Sequence, residues 1–249
     1  MKQQFGIVGY GIVGKATHKS LLKDKEVVIH DINHGSSLED LKHCNTVFFC
    51  IPTGSTEDLD KLEEEIKSIK AINPDCIVVI RSTVPVFFCN YIEGLIDESI
   101  YYIPEFLRER VWEQDCEKRP LIVGLNSTVV PMFLAGQDCL YCSYQEAEII
   151  KLFSNNMASA RVVFANHFYD ISQRVGADYS KVVEYYKHVE HNDQNYIDVN
   201  EKLRGFGGKC LPKDLDFLIQ TMQALGLDQT YFSAMKHDNK KWPTTVKKS

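Results

Sequence analysis

One stretch of the sequence combines glycines, a cysteine and a carboxylate at a spacing that suits covalent catalysis. It reads Gly205-Phe206-Gly207-Gly208-Lys209-Cys210-Leu211-Pro212-Lys213-Asp214. The glycines allow a tight turn and a close approach to a ligand, and Pro212 suits the first turn of a helix. Cys210 would then lie at a helix N-terminus, where the helix dipole and nearby lysines favour the thiolate. With Asp214 one turn later, the pattern predicts a nucleophile beside a base, the alternative being a buried structural cysteine.

Two further pairs of polar residues, each four residues apart, are candidates for related chemistry. Glu105 and Glu109 would share one face of a helical turn, where two carboxylates can hold water and move protons. Lys151 and Asn155 would share one face of a long helix, where an ammonium and an amide can stabilise a developing oxyanion. The same spacings are also typical of solvent-exposed residues, so both interpretations remain open for each pair.

The N-terminal residues have the pattern of a dinucleotide-binding loop. An apolar strand over 5–9 leads into Gly9-Tyr10-Gly11-Ile12-Val13-Gly14, and a helical pattern follows. Strand, GxGxxG and helix in this order are the context that the motif requires. Gly9 would make the turn, Gly11 would admit a pyrophosphate, and Gly14 would let helix and strand pack closely. The loop from Gly9 to Gly14, with the backbone of Ile12 and Val13 at the helix start, is therefore predicted to bind a cofactor.

The end of the second predicted strand indicates which cofactor is bound. The strand covers 26–30 and is followed by Asp31. A carboxylate at this position accepts hydrogen bonds from ribose hydroxyls and repels a 2′-phosphate. The sequence therefore predicts NAD and not NADP.

The order of the remaining elements predicts the fold class and the domains. Apolar runs over 45–51, 75–80, 101–103 and 120–124 alternate with helical patterns, which is typical of a Rossmann-like, doubly wound parallel sheet in an α/β protein. From about Gln145 the pattern becomes helical, with one long helix to about Gln173, shorter helices over 179–188 and 215–225, and the start of another helix over 234–242. We expect a cofactor domain over 1–145 and an all-helical domain over 146–249 that carries the long helix and the loop with the candidate catalytic cysteine.

Four polar or turn-forming residues follow the third and fourth predicted strands directly. They are Pro52, Thr53, Ser82 and Thr83. Because ligands bind at the carboxyl ends of strands in such sheets, these residues are predicted to line the cofactor cleft. The alternative is that they serve only as turn residues.

Composition narrows the class of protein. The 249 residues are 44% hydrophobic and 25% charged, with a net charge of −6, which argues against a general nucleic-acid binder. No apolar run reaches the ~18 residues of a membrane span, and no signal-peptide pattern is present, so we expect a cytoplasmic protein. The eight cysteines are then predicted to be mostly thiols, and Cys139 and Cys142 form a lone CxxC for which no metal is expected.

Taken together, these motifs resemble those of the nucleotide-sugar 6-dehydrogenases, the UDP-glucose/GDP-mannose dehydrogenase family. The matching stretches occur in the family order and extend to about residue 240. They are Gly9–Gly14, Pro52-Thr53, Ser82–Pro85, Pro104–Glu109, Glu148–Asn155 and Gly205–Asp214.

The resemblance implies a four-electron oxidation of the C6 alcohol of a UDP-glucose-like nucleotide sugar to a carboxylate. Two NAD would be used, and Cys210 would carry a thiohemiacetal and then a thioester. The implied catalytic partners of Cys210 are Asp214, Lys151, Asn155, Glu105, Glu109 and Thr83. The implied substrate-binding residues are Glu105, Phe106, Leu107, Arg108, Lys151, Asn155, Gly205, Phe206, Gly207, Gly208 and Cys210. The implied cofactor-binding residues are those of the glycine loop, Asp31, Pro52, Thr53, Ser82, Thr83 and Lys213.

The resemblance also implies an oligomeric state, and two alternative functions remain open. The chain reads as a short form without the family's C-terminal nucleotide-binding domain, and the long helix resembles the family's dimer core, so we expect a homodimer. A two-electron dehydrogenase of the 3-hydroxyacid type is the first alternative, and it would not need Cys210. A non-catalytic NAD-binding module is the second. Neither a nucleic-acid nor a membrane partner is expected.

Overall fold

The computed structural model describes residues 3–33, 35–116, 120–190, 196–201 and 204–244. The chain divides into two compact units, Met1–Lys151 and Leu152–Ser249. The first unit is an α/β unit built on one sheet, and the second is helical. The fold class predicted from the sequence is thereby confirmed.

The first unit contains a seven-stranded sheet. Its strands are β1 (Gln4–Val8), β2 (Glu26–His30), β3 (Thr46–Phe49), β4 (Ile77–Ile80), β5 (Tyr101–Tyr102), β6 (Leu121–Gly124) and β7 (Cys139–Cys142). The strand order is β2-β1-β3-β4-β5-β6-β7. The strands β1 to β5 pair in parallel, whereas β6 pairs antiparallel to β5 and parallel to β7. The sheet is thus mostly parallel, and β7 is a strand that the sequence pattern did not predict.

Four α-helices of the described residues lie wholly within this unit. They are α1 (Ile12–Ser20), α2 (Thr56–Ile72), α3 (Phe88–Ile96) and the single turn α4 (Trp112–Asp115). Successive strand residues point to opposite faces, so Phe5 and Ile7 enter one apolar cluster while Val8 enters the other. Because both faces are covered, the strands read as nearly continuous apolar runs.

The strand order indicates at which edge of this sheet a ligand would bind. From β1 the chain runs first to β2 on one side and then to β3 on the other, so the order reverses between β1 and β3. Ligands bind outside the carboxyl ends of strands at such a reversal. The loops that follow Val8 and Phe49 lie at this point.

Helix α5 (Tyr144–Val175) is 32 residues long and contains neither proline nor glycine, as the sequence predicted. The second unit takes this helix from Leu152 on, together with α6 (Tyr179–Glu190), α7 (Leu211–Ala224) and α8 (Thr230–Asn239). The predicted start of α7 at residue 215 was four residues late, because Leu211 and Pro212 already belong to its first turn. The predicted start of α8 at residue 234 was also four residues late, because the helix begins at Thr230 and ends at Asn239.

Two apolar clusters hold the second unit together. One joins Val162 and Val163 of α5 to Phe206, Leu215 and Trp242. The other joins α5 to α6 and to the segment that contains Ile197 and Val199. Among the described residues, no helix has both the length and the apolar character that a bilayer span requires.

Candidate functional site

The three glycines of the loop after β1 differ in their surroundings and in their backbone conformation. Gly9 adopts φ +88, a conformation that favours glycine, and its N–H donates to the His30 carbonyl at 2.8 Å. A Cβ on Gly14 would lie 2.2 Å from the Gly9 carbonyl oxygen, so the helix packs directly on the loop. A Cβ on Gly11 would meet no atom within 4 Å. The loop therefore leaves open space in front of Gly11, the N-cap of α1.

Asp31 lies immediately after β2, beside this loop. One carboxylate oxygen accepts the Tyr10 N–H at 2.7 Å, and the other accepts the Asn33 N–H at 2.8 Å. The Asn33 side-chain amide donates to the second oxygen as well, at 3.1 Å. The bond to Tyr10 adds a role that sequence reasoning missed, since it ties the carboxylate to the glycine loop.

The residues after β3 and β4 bind each other through their hydroxyl groups. Thr53 Oγ1 donates to the Thr83 carbonyl at 2.6 Å, and Ser82 Oγ donates to the Ile51 carbonyl at 2.6 Å. Thr53, Ser82 and Thr83 are buried, whereas Pro52 is exposed. The two strand ends are therefore fixed to one another at the edge where the sheet order reverses.

Lys151 is a buried lysine, in contrast to the exposed residue that its spacing alone also allowed. It is 2% exposed, and its ammonium nitrogen lies 3.9 Å from a carboxylate oxygen of Glu105, itself buried. The same nitrogen lies 5.2 Å from the centre of the Phe106 ring. Burying an ion is costly unless it is paired, so a buried lysine beside a carboxylate is a strong functional candidate.

The predicted helical turn that would stack Glu105 on Glu109 is wrong. Residues 103–108 are irregular, and Glu109 is the exposed first residue of a 3₁₀ turn, Glu109–Val111. Pro104 and the hydrogen bond from the Leu107 N–H to Glu105 Oε2, at 2.6 Å, favour a local turn in place of a helix. The structure therefore brings Glu105 to Lys151 and leaves Glu109 at the surface.

Arg108, predicted to bind substrate, forms a two-pronged ion pair with Asp115. Its Nε and Nη2 atoms lie 2.9 and 2.8 Å from the two carboxylate oxygens. The Arg108 N–H also donates to Asp115, at 3.0 Å. This pairing fixes the end of the segment that begins at Glu105.

Arg81 and Glu148 are buried charged residues of the first unit that were not singled out from the sequence. Arg81, at the end of β4, donates to Thr17 Oγ1 at 3.1 Å and to the Ile103 carbonyl at 2.7 Å, and its burial lowers its pKa. Glu148 accepts the N–H groups of Phe87 and Cys89 at the start of α3, at 2.8 and 2.9 Å. Burial raises the pKa of Glu148, although these hydrogen bonds act against that shift. A single charged residue between apolar ones has no periodicity, so no sequence pattern indicates such positions.

In the second unit, Cys210 is the N-cap residue of α7 and is exposed. The Asp214 N–H donates to the Cys210 carbonyl at 2.9 Å, which closes the first turn of the helix. Pro212 lies in that first turn, as predicted. The thiol therefore lies at the helix end whose dipole favours negative charge.

Asp214, one turn after Cys210, is completely buried and has a partner on each carboxylate oxygen. One oxygen accepts a hydrogen bond from the Asn155 side-chain amide, and the other lies 2.6 Å from the Lys213 ammonium. Asn156 donates to the Asp214 carbonyl at 3.1 Å. Lys213, predicted to bind the cofactor, is thus paired with Asp214 and stacked over Phe217.

The glycine loop before Cys210 packs against its own chain. A Cβ on Gly205 would lie 2.7 Å from Asn239 Oδ1, and a Cβ on Gly207 would lie 2.9 Å from Thr244 Cβ. Gly208 has φ +80 and makes the turn. Phe206 is buried. Gly205 and Gly207 therefore lie close to α8 and to the segment after it, whereas the sequence had indicated that these glycines approach a ligand.

Both a family model and individual proteins are similar in sequence to this chain. Residues 145–241 match the model of the UDP-glucose/GDP-mannose dehydrogenase family, central domain. The chain is 30% identical over 226 residues to a UDP-glucose 6-dehydrogenase of Campylobacter jejuni and 27% identical over 228 residues to one of Rickettsia bellii. These alignments cover 81% and 84% of this chain but 56% and 52% of those relatives, so the chain spans about half of their length.

The fold has a counterpart among solved structures. A UDP-glucose dehydrogenase from Pyrobaculum islandicum superposes with a TM-score of 0.81 at 21% identity. The superposition covers 97% of this chain and 68% of that chain. At this identity the likeness concerns the fold.

Proposed function

We propose that this chain, whose residues 145–241 match the model of the UDP-glucose/GDP-mannose dehydrogenase family, central domain, is an NAD-dependent nucleotide-sugar 6-dehydrogenase. Its substrate would be a UDP-glucose-like sugar, oxidised at C6 from alcohol to carboxylate. The names of the relatives from Campylobacter jejuni and Rickettsia bellii support this substrate class. The observation that carries the proposal is the exposed Cys210 at the start of α7, one turn before a buried Asp214 that Asn155 holds.

The residues of the first unit fit NAD. The open space at Gly11 suits a pyrophosphate, because only a glycine leaves the backbone N–H groups of the helix start accessible there. Asp31 would accept the ribose hydroxyls and repel a 2′-phosphate. When bound, NAD supplies the hydride acceptor for each of the two oxidations.

Cys210 would act as the nucleophile on the intermediate aldehyde. Its thiolate forms a bond to the aldehyde carbon, and the carbonyl electron pair moves to the oxygen. Lys151 and Asn155 would stabilise the resulting oxyanion, the first as a cation and the second as an amide donor. The covalent bond to sulfur holds the sugar between the two oxidations.

The second oxidation leaves a thioester on Cys210, which water must cleave. Attack by water forms the carboxylate, breaks the carbon–sulfur bond and returns the thiolate. Asp214 would take the proton from this water, and Glu105 is a second candidate because it is a carboxylate buried beside Lys151. The balance is one alcohol, one water and two NAD consumed for one carboxylate, two NADH and three protons.

The ratio of NADH formed to sugar consumed tests the reaction. We expect two NADH per UDP-glucose with the purified chain, measured by absorbance and by quantifying the sugar product. One NADH per sugar would support the two-electron alternative. If no nucleotide sugar yields NADH while NAD still binds, the chain is a binding module and the proposal is wrong.

The variant Cys210→Ser tests the nucleophile. We expect net product formation to fall by at least ~10³-fold, because a neutral hydroxyl replaces a thiolate, while NAD affinity stays unchanged. Cys116→Ser is the matched control, since Cys116 is a partly exposed cysteine of the first unit. Complete conversion to the carboxylate by Cys210→Ser would remove Cys210 from the mechanism.

We further propose that the chain forms a homodimer through α5. Eight large apolar side chains are exposed among the described residues of this helix. Six of them recur at spacings of three, four or seven residues. They are Phe153, Met157, Phe164, Phe168, Ile171 and Val175. A stripe with this repeat matches the seam of paired helices, and so many exposed apolar residues on one helix indicate an interface.

A charge placed in the stripe tests the dimer. Phe164 is 62% exposed, so Phe164→Glu should leave the fold intact while opposing association. Gln173→Glu adds the same charge to the same helix outside the stripe and serves as control. Light scattering after size exclusion should give a dimer for the wild type and the control and a monomer for Phe164→Glu. A monomeric wild type at micromolar concentration would contradict the proposal.

A further inference from the structure

Asn239, the last residue of α8, binds the backbone of the glycine loop that precedes Cys210. Its side-chain oxygen accepts the Phe206 N–H at 2.8 Å, and its side-chain nitrogen donates to the Phe206 carbonyl at 2.8 Å. One amide side chain therefore satisfies both backbone groups of a single loop residue, as a neighbouring strand would. Sequence reasoning assigned no role to this residue.

The surroundings of Asn239 leave this contact little freedom. Phe206 is 5% exposed and packs with Val162, Leu215 and Trp242. A Cβ on Gly205 would lie 2.7 Å from Asn239 Oδ1 and 3.1 Å from the Asn239 carbonyl oxygen. The clamp and the packing therefore fix one end of the loop on α8.

The other end of the same loop is Cys210, the N-cap of α7. Between the clamp and the thiol lie Gly207, Gly208 and Lys209, of which Gly208 has φ +80. A segment rich in glycine has many conformations when it is not held, and ordering it costs conformational entropy. The conformation of the cysteine therefore depends on where the loop is anchored.

We propose that Asn239 is a positioning residue that holds Cys210 at the start of α7 by clamping Phe206. The inference rests on the proposed function for its catalytic meaning. Its physical content is independent of that function, because it concerns the environment of the thiol. The polar pairing is specific to an amide, since both a donor and an acceptor must face the Phe206 backbone.

The test measures the chemical reactivity of Cys210 and not the activity alone. The rate of alkylation by iodoacetamide is followed by mass spectrometry of the peptide that contains Cys210, at pH 7 and at pH 9. A thiol held at a helix N-terminus reacts at pH 7 because its thiolate is favoured there. We expect the ratio of the pH 7 rate to the pH 9 rate to fall roughly fivefold in Asn239→Ala.

Two further variants separate the clamp from general packing. Asn239→Asp keeps the shape and the acceptor but lacks the donor that faces the Phe206 carbonyl, so we expect a loss at least as large as in Asn239→Ala. His237→Ala changes an exposed residue of the same helix and should leave the ratio unchanged. If Asn239→Ala and Asn239→Asp melt at lower temperature yet keep the wild-type ratio, the side chain is only structural and the inference is wrong.

A variant on the loop side covers the case in which the Asn239 variants do not fold. Gly205→Ala introduces a methyl group 2.7 Å from Asn239 Oδ1, so it should lower the same ratio. In the active enzyme we expect kcat to fall about tenfold while KM for NAD stays unchanged. Absence of dehydrogenase activity in the wild type would overturn the proposed function alone, because the alkylation ratio would still report on the clamp. An unchanged ratio in Gly205→Ala would overturn the inference.

Discussion

A pair of alanine substitutions in the first glycine loop separates the steric role of one glycine from the ligand-binding role of another. In Gly14→Ala the new methyl group would lie 2.2 Å from the Gly9 carbonyl oxygen, so helix or loop must move. In Gly11→Ala the methyl group meets no protein atom within 4 Å. The backbone of Gly11 is extended, with φ −71, which alanine also adopts. The two variants should therefore fail in different ways.

The expected magnitudes follow from these contacts. Forcing a methyl group into a packed site costs about 1–3 kcal/mol, so Gly14→Ala should lower Tm by roughly 4–8 °C for a cost of about 2 kcal/mol. Gly11→Ala should leave Tm unchanged or raise it slightly, because alanine restricts the unfolded chain by about 0.4–1 kcal/mol. In that variant the methyl group displaces the pyrophosphate, and each lost charged hydrogen bond costs about 1.5–3 kcal/mol. NAD should then bind roughly 10- to 100-fold more weakly.

Thermal unfolding and calorimetric titration with NAD measure both quantities on the same samples. Gly94→Ala on α3 is the control, because a Cβ there meets no atom within 4 Å and the backbone is not in the left-handed region. Gly136→Ala is unsuitable, since Gly136 has φ +79. A Gly11→Ala protein that melts like the wild type and binds NAD equally well would refute the assignment of this loop to the pyrophosphate. A stable Gly14→Ala protein would refute the packing argument.

Two further predictions concern buried groups of the first unit. Lys151→Met should lower kcat at least ~100-fold with unchanged NAD affinity, because it removes the cation proposed to stabilise the oxyanion. Steady-state kinetics measure this effect, and Lys181→Met, at an exposed lysine, is the control. A near-wild-type kcat for Lys151→Met would contradict the proposed role. Burial raises the pKa of Cys50 from 9.0 to about 11, so the folded chain keeps a proton that the unfolded chain loses. The stability present below pH 9 should therefore fall as the pH rises towards 11, by up to about 1.4 kcal/mol per pH unit. Between pH 8 and 11, Tm should fall less steeply with pH for Cys50→Ala than for the wild type. An equal decrease of Tm in both proteins would show that Cys50 is not the source of the pH dependence.

Much of the first unit could be predicted because buried parallel strands leave a clear signal. The apolar runs that end at Phe49 and Ile80 are buried only if both faces of the sheet are covered. The loop at Gly9 requires glycine because of its positive φ and because a Cβ would contact the Cys50 backbone. Strand β7 was missed because it lies at the edge of the sheet. Its residues Leu140 and Tyr141 are exposed, so the strand shows no buried run.

The candidate site could be predicted only as separate residue types. Spacing placed Lys151 and Asn155 on one helix, but it gave no information on the burial of Lys151 or on its approach to Glu105. That approach depends on an irregular segment after Pro104, and helical spacing does not apply there. Long-range contacts such as that between Arg81 and the Ile103 carbonyl have no local sequence signal at all.

The second glycine loop shows how a correct motif can rest on an incomplete physical reason. Its glycines suggested room for a ligand, yet Gly205 and Gly207 are required by contacts of 2.7 and 2.9 Å with Asn239 and Thr244. Glycine content in this loop is therefore evidence for packing against α8 and the segment after it. Support for the proposed covalent chemistry comes instead from Cys210 at the helix start and from the buried Asp214 that Asn155 holds, because packing alone does not require either arrangement.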